Sequence, residues 1–444
     1  MELETIMSRL GIELSPMQQA TMEAFTHTDH NIEVLSPTGS GKTLAYLLPL
    51  SQLIDASSDA LQAVVIVPGR ELAIQSADVL ASMKAGIRGY ASHGGRPTMD
   101  EHRELRKLKP QIIFATPGRL NDHIDKGNIE INDVKFVVID EFDKCLQMGF
   151  AEEMNKAVLS LPRTARRVFL SATDVSTDEL VNTELSPIGF QVIDFRNESQ
   201  NEDRIKVNIV HSPDKDKLPI LASLLRCFNG DSTIVFLNYR DSVERTAAYL
   251  TDEGFTVSAY HGGLDQRQRE EAIYRFANGS ANVLVSTNLG SRGLDIPDVK
   301  NIVHYHLPET EEDYTHRIGR TARGDKEGNT YFILSEGETL PDYVQADTID
   351  FAMPEKLPHP VAPRMVTLYI GKGKKDKISK GDVVGFLCKS GGLKGAEIGR
   401  IDVYDYYAYV AIERSKLKSV LRNVQGEKLK GQRTKVEPAW VSAR

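Results

Sequence analysis

The chain has 444 residues, 41% hydrophobic and 26% charged, which excludes a fibrous repeat or wholesale disorder and leaves room for about three domains with cores of their own. Three scattered cysteines, Cys145, Cys227 and Cys388, exclude a disulfide framework or a zinc site and fit a reducing compartment. The start, MELETIMSRL, has no basic segment followed by an apolar one, and no apolar run approaches the roughly 18 residues that span a bilayer, so a cytoplasmic protein without membrane contact is expected.

In chain order, apolar β-branched runs alternate with helical patterns: IEVL from Ile32, AVVIVP from Ala63, QIIFATP from Gln111, KFVVID from Lys135 and RVFLSAT from Arg167. Strands buried on both faces have this texture, so an α/β lobe with a parallel sheet and crossover helices is expected. The first run leads into SPTGSGKT, Ser36 to Thr43, which opens a helical pattern. This is the setting of a phosphate-binding loop, in which glycines turn backbone N–H groups toward phosphates, a lysine reaches the terminal phosphates and a hydroxyl holds magnesium. Gly39, Gly41, Lys42 and Thr43 supply those parts, although Ser36 stands where the strict pattern has glycine. The fourth run ends in VIDEFD, where Asp140 is expected to hold magnesium and Glu141 to orient the attacking water.

The polar segment RNESQNEDR, Arg196 to Arg204, reads as a linker. A second series of strand-like runs follows, from Ser232, Thr256, Asn282, Asn301 and Asn329, and gives a second lobe of the same kind. Within it HRIGRTAR carries Arg317, Arg320 and Arg323 at intervals close to one helical turn, which predicts one shared face of guanidinium groups suited to a transferring phosphate. Prolines 354, 358, 360 and 363 then mark an extended tether. From Arg364 to Arg444 there are 18 Lys+Arg against 8 Asp+Glu, so a tail of net charge +10 follows a body of −18. Such a module either neutralises phosphates of a nucleic acid or is a solvated lysine-rich surface. Its runs suggest a small α+β fold.

Together these residues resemble a DEAD-box ATP-dependent RNA helicase over nearly the whole chain. The resemblance implies two tandem RecA-like lobes, residues 1–198 and 204–345, a linker at 346–363 and, at 364–444, the RRM-like RNA-binding domain of DbpA-type helicases. The cofactors implied are ATP and Mg2+. Gln18 in SPMQ is the adenine reader, with Gln19 as the alternative; Ser36, Thr38, Gly39, Ser40, Gly41, Lys42 and Thr43 cradle the phosphates. Thr43 and Asp140 share the metal, the latter partly through water, and Gly293 and Asp295 meet the nucleotide from the second lobe. Lys42, Asp140, Glu141, Arg320 and Arg323 form the catalytic set, the two arginines matching the family's arginine fingers.

By the same resemblance, Arg70, the pair Gly94 and Gly95, and Thr116, Pro117, Gly118 and Arg119 grip the RNA backbone in the first lobe, and His261, Gly262, Thr287 and Arg292 do so in the second. Such grips carry no base specificity. Ser171 and Thr173 couple hydrolysis to strand separation, and His316 and Arg317 link the lobes to the acidic motif and the phosphates. In the tail, Lys372, Lys374, Lys375, Lys377 and Arg400 are the candidates for RNA contact, while Tyr407 and Tyr409 in a degenerate RRM aromatic strand either stack on bases or pack in the core. The chain departs from the family at Phe142, where a methyl is usual, at Gly69 for threonine, at Ile12 for an aromatic and at Asn288 for an aspartate.

The function implied is RNA-stimulated ATP hydrolysis with local unwinding of RNA duplexes, the partner being structured ribosomal RNA of the large subunit during ribosome assembly, by a monomer. Two alternatives are an ATP-gated RNA clamp or scaffold that does not unwind, and a DNA helicase on the same lobes.

Overall fold

Four-residue runs such as IEVL, AVVI, IIFA and FVVI are buried along their whole length, because each lies between layers of helices on both sides of a sheet. The computed structural model describes residues 3–37, 39–94, 98–173, 180, 183–196, 204–291, 299–322 and 327–439. It divides into two units, Met1–Gln200 and Asn201–Arg444. Among the described residues no helix is long and apolar enough to cross a membrane.

The first unit holds strands β1 (Ile32–Leu35), β2 (Ala63–Ile66), β3 (Gly89–Ser92), β4 (Ile112–Ala115), β5 (Phe136–Ile139), β6 (Arg166–Ser171) and β7 (Gln191–Asp194), in spatial order β3-β4-β2-β5-β6-β1-β7. Every pairing is parallel, so all seven C-terminal ends lie along one edge. β6 runs between β5 and β1, which sets the ends of those two strands about 10 Å apart. Two apolar clusters fill the faces of this sheet.

The second unit repeats the plan with β8 (Ile205–Ser212), β9 (Thr233–Phe236), β10 (Val257–Tyr260), β11 (Val283–Ser286), β12 (Asn301–His304), β13 (Gly328–Ser335) and β14 (Thr348–Asp350), in order β10-β11-β9-β12-β13-β8-β14, again parallel. The stretch expected to be a bare tether thus supplies a strand. Phe351 N–H also donates to Ile209 O at 2.8 Å, Phe351 and Met353 pack on the lobe's core, and Asn282 donates to Val361 O at 3.1 Å. Edge pairing with β8 outweighs the proline spacing from which the tether was read. Most of the segment read as the interlobe linker lies outside the described residues.

The tail is α+β. An antiparallel sheet ordered β16-β17-β15-β20 comprises β15 (Met365–Ile370), β16 (Ile398–Val403), β17 (Ala408–Glu413) and β20 (Val436–Pro438), with a small pair β18 (Lys428–Leu429) and β19 (Gln432–Arg433). Helices Lys380–Lys389 and Leu417–Asn423 cover one face over a core centred on Val366, Leu368, Val383, Leu387 and Val410.

Phe142, the departure in the acidic motif, is fully buried with its ring centroid 4.7 Å from that of Phe169, which lies 5.0 Å from Phe190. A row of aromatics therefore fills the space a methyl would leave. Phe142→Ala, although it installs the family's usual residue, is expected to open a cavity and cost about 3–5 kcal/mol, read as a lower unfolding midpoint of the first lobe in urea.

Candidate active site and nucleic-acid interface

The phosphate loop leaves β1 through a hydrogen bond from Ser36 N–H to Ser171 O at 3.0 Å and enters the helix Lys42–Leu53 at Gly41. Gly39 and Gly41 have φ of 84° and 88°, a left-handed conformation natural to glycine. A Cβ on Gly41 would also sit 2.5 Å from Gln18 Nε2, which donates to Gly41 O at 3.2 Å. Gln18 closes a capping box with Ser15 at the start of the helix Pro16–His27, which fixes its side chain against the loop; Gln19 is exposed and donates to Leu14 O. Lys42 Nζ is held at 2.6 Å from Ser36 O and 3.0 Å from Pro37 O, folded into the loop. Ser40 closes the turn, its N–H donating to Pro37 O at 3.3 Å, and Thr38 lies outside the described residues.

Asp140 and Glu141 follow β5, where Asp140 N–H donates to Ile66 O at 2.9 Å. Glu141 has φ 52° and ψ 52°, an uncommon conformation for a side chain with a Cβ and one that collects at functional sites. Burial, reinforced by the neighbouring Glu141, pushes the Asp140 carboxyl up to about 7 against the pull of Lys42. The hydroxyl of Tyr46 donates to Ser76 Oγ at 3.3 Å and lies near Asp140 and Thr43, so those two oxygens share one neighbourhood. A hydroxyl and a buried carboxylate short of positive charge are a donor set that suits a hard divalent cation.

Asp143, which motif reasoning left without a role, ties this site to Ser171–Thr173. Its Oδ2 accepts from Ala172 N and Thr173 N at 3.1 Å each and from Thr173 Oγ1 at 3.0 Å, while Ser171 Oγ donates to Thr173 O at 2.7 Å. The third carboxylate of VIDEFD was the available signal.

The first lobe's expected RNA grips follow β2, β3 and β4, which form one side of the same sheet edge. Arg70 opens the helix Arg70–Met83 behind Gly69, whose backbone is extended at φ −145° and serves as its N-cap. Thr116 caps the helix Pro117–Asp125, with Pro117 at its first position and Gly118 exposed. Glu101 is the hub between these loops. Buried on the helix Thr98–Leu108, it accepts from Ser92 Oγ at 3.1 Å, His93 N at 3.3 Å and His123 Nε2 at 3.0 Å, and pairs with Arg119 at 3.4 Å. Burial alone would raise its carboxyl, but the His123 hydrogen bond and the Arg119 charge outweigh it and hold it below the usual range. Gly94 O accepts from His93 Nδ1 at 2.9 Å; Gly95 lies outside the described residues.

In the second lobe, His261 and Gly262 follow β10, Thr287 follows β11, and Asn238 to Arg240 follow β9. His261 is buried, its Nδ1 accepting from Gly263 N at 3.2 Å and its Nε2 lying 3.3 Å from Glu244; Gly262 O accepts from Arg269. The expectation that three arginines share a helical face is corrected. The helix Glu311–Ile318 stops at Gly319, so Arg320 lies in the following turn with its carbonyl accepting from Val299 N at 3.0 Å. Arg317 is fully buried within its lobe, donating to Asn288 Oδ1, Asn238 Oδ1 and His306 O at 2.8 Å each, over the Phe236 ring. Asn288, the departure from aspartate, is thus a neutral acceptor for a buried guanidinium. His316 is buried, 3.6 Å from Glu312. Arg292, Gly293, Asp295 and Arg323 lie outside the described residues.

The tail's aromatic strand faces neither solvent nor its own core alone. Tyr409 is fully buried, its ring 5.4 Å from that of Tyr274 on the helix Gln266–Ala277 of the second lobe, and its hydroxyl lies 3.3 Å from Glu271. Tyr407 donates to Glu270, and Arg267 lies over the rings of Tyr369 and Tyr407 at 4.5 and 5.6 Å. Arg400 belongs to this junction, paired with Asp402 at 2.8 Å and 5.8 Å from the Tyr274 ring. On the loop after β15, Lys372 is half-buried and paired with Asp376, whereas Lys374, Lys375 and Lys377 are exposed, Lys375 donating to Tyr406 Oη at 2.9 Å and lying 4.0 Å from Asp405.

Residues 15–180 match the model of the DEAD/DEAH box helicase family, 216–325 that of the helicase conserved C-terminal domain and 367–438 that of the DbpA RNA binding domain. The chain is 32% identical to ATP-dependent RNA helicase DbpA of Escherichia coli, over 97% of this chain and 96% of that one, and 28% identical to its namesake in Bacillus subtilis, over 96% and 95%. S. cerevisiae Dbp5 bound to RNA and ADP BeF3 superposes with a TM-score of 0.68 at 26% identity, covering 75% of this chain and 87% of that one. With an intact phosphate loop, acidic motif and tail module in the same order, the chain belongs to the DEAD-box family of ATP-dependent RNA helicases and is DbpA-like.

Proposed function

We propose that this helicase uses ATP to pry apart short duplexes beside a large-subunit ribosomal RNA element held by its tail, during ribosome assembly. It acts as a cytoplasmic monomer. The observation that carries the reading is the Asp143 bridge, because it joins the residues that would handle ATP to Ala172 and Thr173 by direct hydrogen bonds, and Ser171 Oγ in turn donates to Thr173 O. Gln18, beside Gly41, reads the base, and the loop from Ser36 to Thr43 wraps the phosphates. Lys42 exchanges its two carbonyl partners for the terminal phosphates, gaining charge-assisted bonds for neutral ones. Thr43 and Asp140 would hold magnesium, which would neutralise phosphate charge when bound. Glu141 orients the attacking water, and Arg320 and Arg323 add positive charge from the second lobe as the phosphoryl group transfers.

The RNA side follows the same logic. Arg70, Gly94, Gly95 and the Thr116–Arg119 turn, with His261, Gly262, Thr287 and Arg292 of the second lobe, hold phosphates and riboses, so they accept any sequence. Choice of site comes from the tail, through the exposed lysines after β15.

Glu141→Gln is expected to lower RNA-stimulated ATP turnover by about 10²-fold or more while ATP binding persists, measured by phosphate release and by nucleotide titration. Stimulation of the parent by DNA but not by RNA would overturn the assignment. Joint replacement of Lys374 and Lys377 by alanine is expected to weaken binding to large-subunit ribosomal RNA fragments and to reduce the slope of log affinity against log salt by about two, one for each phosphate that a lysine no longer neutralises. Titrations at several salt concentrations read this directly, and an unchanged slope assigns the phosphate grip elsewhere.

A further inference from the structure

Beneath the first lobe's expected RNA grips lies one carboxylate. At the surface the loops after β3 and β4 present Gly94 and Gly118, and nothing stands within 4 Å of where a Cβ would sit on either, so their backbone is open to a strand laid across it. The two loops leave neighbouring strands about 4.8 Å apart, and Thr116 N–H donates to Ser92 O at 3.2 Å. The side-chain bonds that join them converge on Glu101, whose own side chain is wholly buried.

Four donors surround this carboxylate. Oε1 accepts from His93 N–H, just before Gly94, while Oε2 accepts from Ser92 Oγ in the same segment and faces His123 Nε2 and Arg119 from the helix Pro117–Asp125. Arg119 is drawn inward: its Nη1 also donates to Thr98 Oγ1 at 2.9 Å, and only 13% of its side chain is exposed. Most of that guanidinium therefore supports the loop from below, and the turn offers its backbone outward. His123 is 1% exposed, with Nδ1 3.1 Å from Asn128 Nδ2, so it can meet no RNA itself. Donors from two segments on one buried anion brace one another, because charge-assisted hydrogen bonds are strong in a dry interior.

We infer that Glu101 is a positioning residue for RNA: through Ser92, His93, Arg119 and His123 it fixes the loops after β3 and β4 as one surface, so a sugar–phosphate backbone meets contacts already set at their working spacing. The entropy of ordering two loops is then lost in folding rather than in binding. The inference rests on the reading that these loops grip RNA, and deepens it by naming what aims them. It also fixes a sign. Neutralising Glu101 takes a negative charge from a lobe that meets a polyanion, which by Coulomb attraction alone strengthens binding. A positioning role predicts the reverse.

The test uses the full chain and a single-stranded RNA oligomer, with ATPase stimulation titrated against RNA and against ATP separately. Glu101→Gln keeps the shape, but an amide has one acceptor end and one donor end. Whichever way it turns, its N–H groups face either His93 N–H or the donors of His123 and Arg119. The RNA concentration for half-maximal stimulation is expected to rise about tenfold, with ATP half-saturation and turnover at saturating RNA within about twofold of the parent. His123→Leu, which removes one donor and leaves the ion pair with Arg119, is expected to move RNA half-saturation the same way. His123→Gln, whose amide still donates to Glu101, is expected to stay within about twofold of the parent. This pair decides the matter if Glu101→Gln does not fold. Tighter RNA binding by Glu101→Gln, an RNA half-saturation unmoved by His123→Leu, a His123→Gln as weak as His123→Leu, or an equal loss in RNA affinity, ATP affinity and turnover overturns the positioning role while the RNA grip stands. A parent indifferent to RNA overturns the grip as well.

Discussion

The first lobe depends on hydrogen bonds among the ends of three adjacent strands. Because β6 is paired on one side with β5 and on the other with β1, the last residue of β6, Ser171, accepts from the first residue of the phosphate loop. Two and three residues after Asp140, Phe142 seals the core and Asp143 reaches the N–H groups that follow Ser171. A slip of one residue between β5 and β6 would exchange the side chains of the two buried faces and separate Asp143 from Thr173. The chemistry of the acidic motif and the position of Ser171–Thr173 are therefore fixed by the same sheet register.

The same strand order sorts the two kinds of element along the sheet edge. In the first lobe the loops after β3, β4 and β2 carry the residues proposed to grip the RNA backbone, and those after β5, β6 and β1 carry the acidic motif, the Ser171–Thr173 element and the phosphate loop. The second lobe repeats this: His261, Thr287 and Asn238 follow β10, β11 and β9, and the arginine motif follows β12. A parallel sheet makes this division easy to keep, since all strand ends face one edge and connecting loops can change without disturbing the core.

What was legible in the sequence follows from this construction. Strands buried on both faces announce themselves as apolar runs, so all five runs in each lobe became strands. β3 and β7 lie at sheet edges with partly exposed residues, and GYAS and QVID carry too little apolar signal to be seen. β14 is three exposed residues that become a strand only because β8 offers an edge. Motifs gave the loop and the carboxylates, because their spacing is local. Glu101 was invisible as a hub, since its partners Ser92, His93, Arg119 and His123 come from two other segments. The arginine spacing misled because Gly319 ends the helix between Arg317 and Arg320, and helical spacing has meaning only while the helix lasts.

The tail shows how far such long-range contacts can redirect a motif. On sequence, Tyr407 and Tyr409 offered base stacking or core packing, yet they lie against a helix more than 130 residues earlier in the chain. A base could reach Tyr409 only after Tyr274, Arg267 and Glu271 had been displaced. That exchange exposes several aromatic faces, each worth about 1.5–3 kcal/mol when buried, and leaves Glu271, whose carboxyl burial already raises, without its tyrosine partner. Stacking on one base returns about 1–3 kcal/mol, less than the junction gives up. The aromatic strand is thus committed to joining the tail to the second lobe, and the exposed Lys374, Lys375 and Lys377 supply accessible positive charge on the loop after β15.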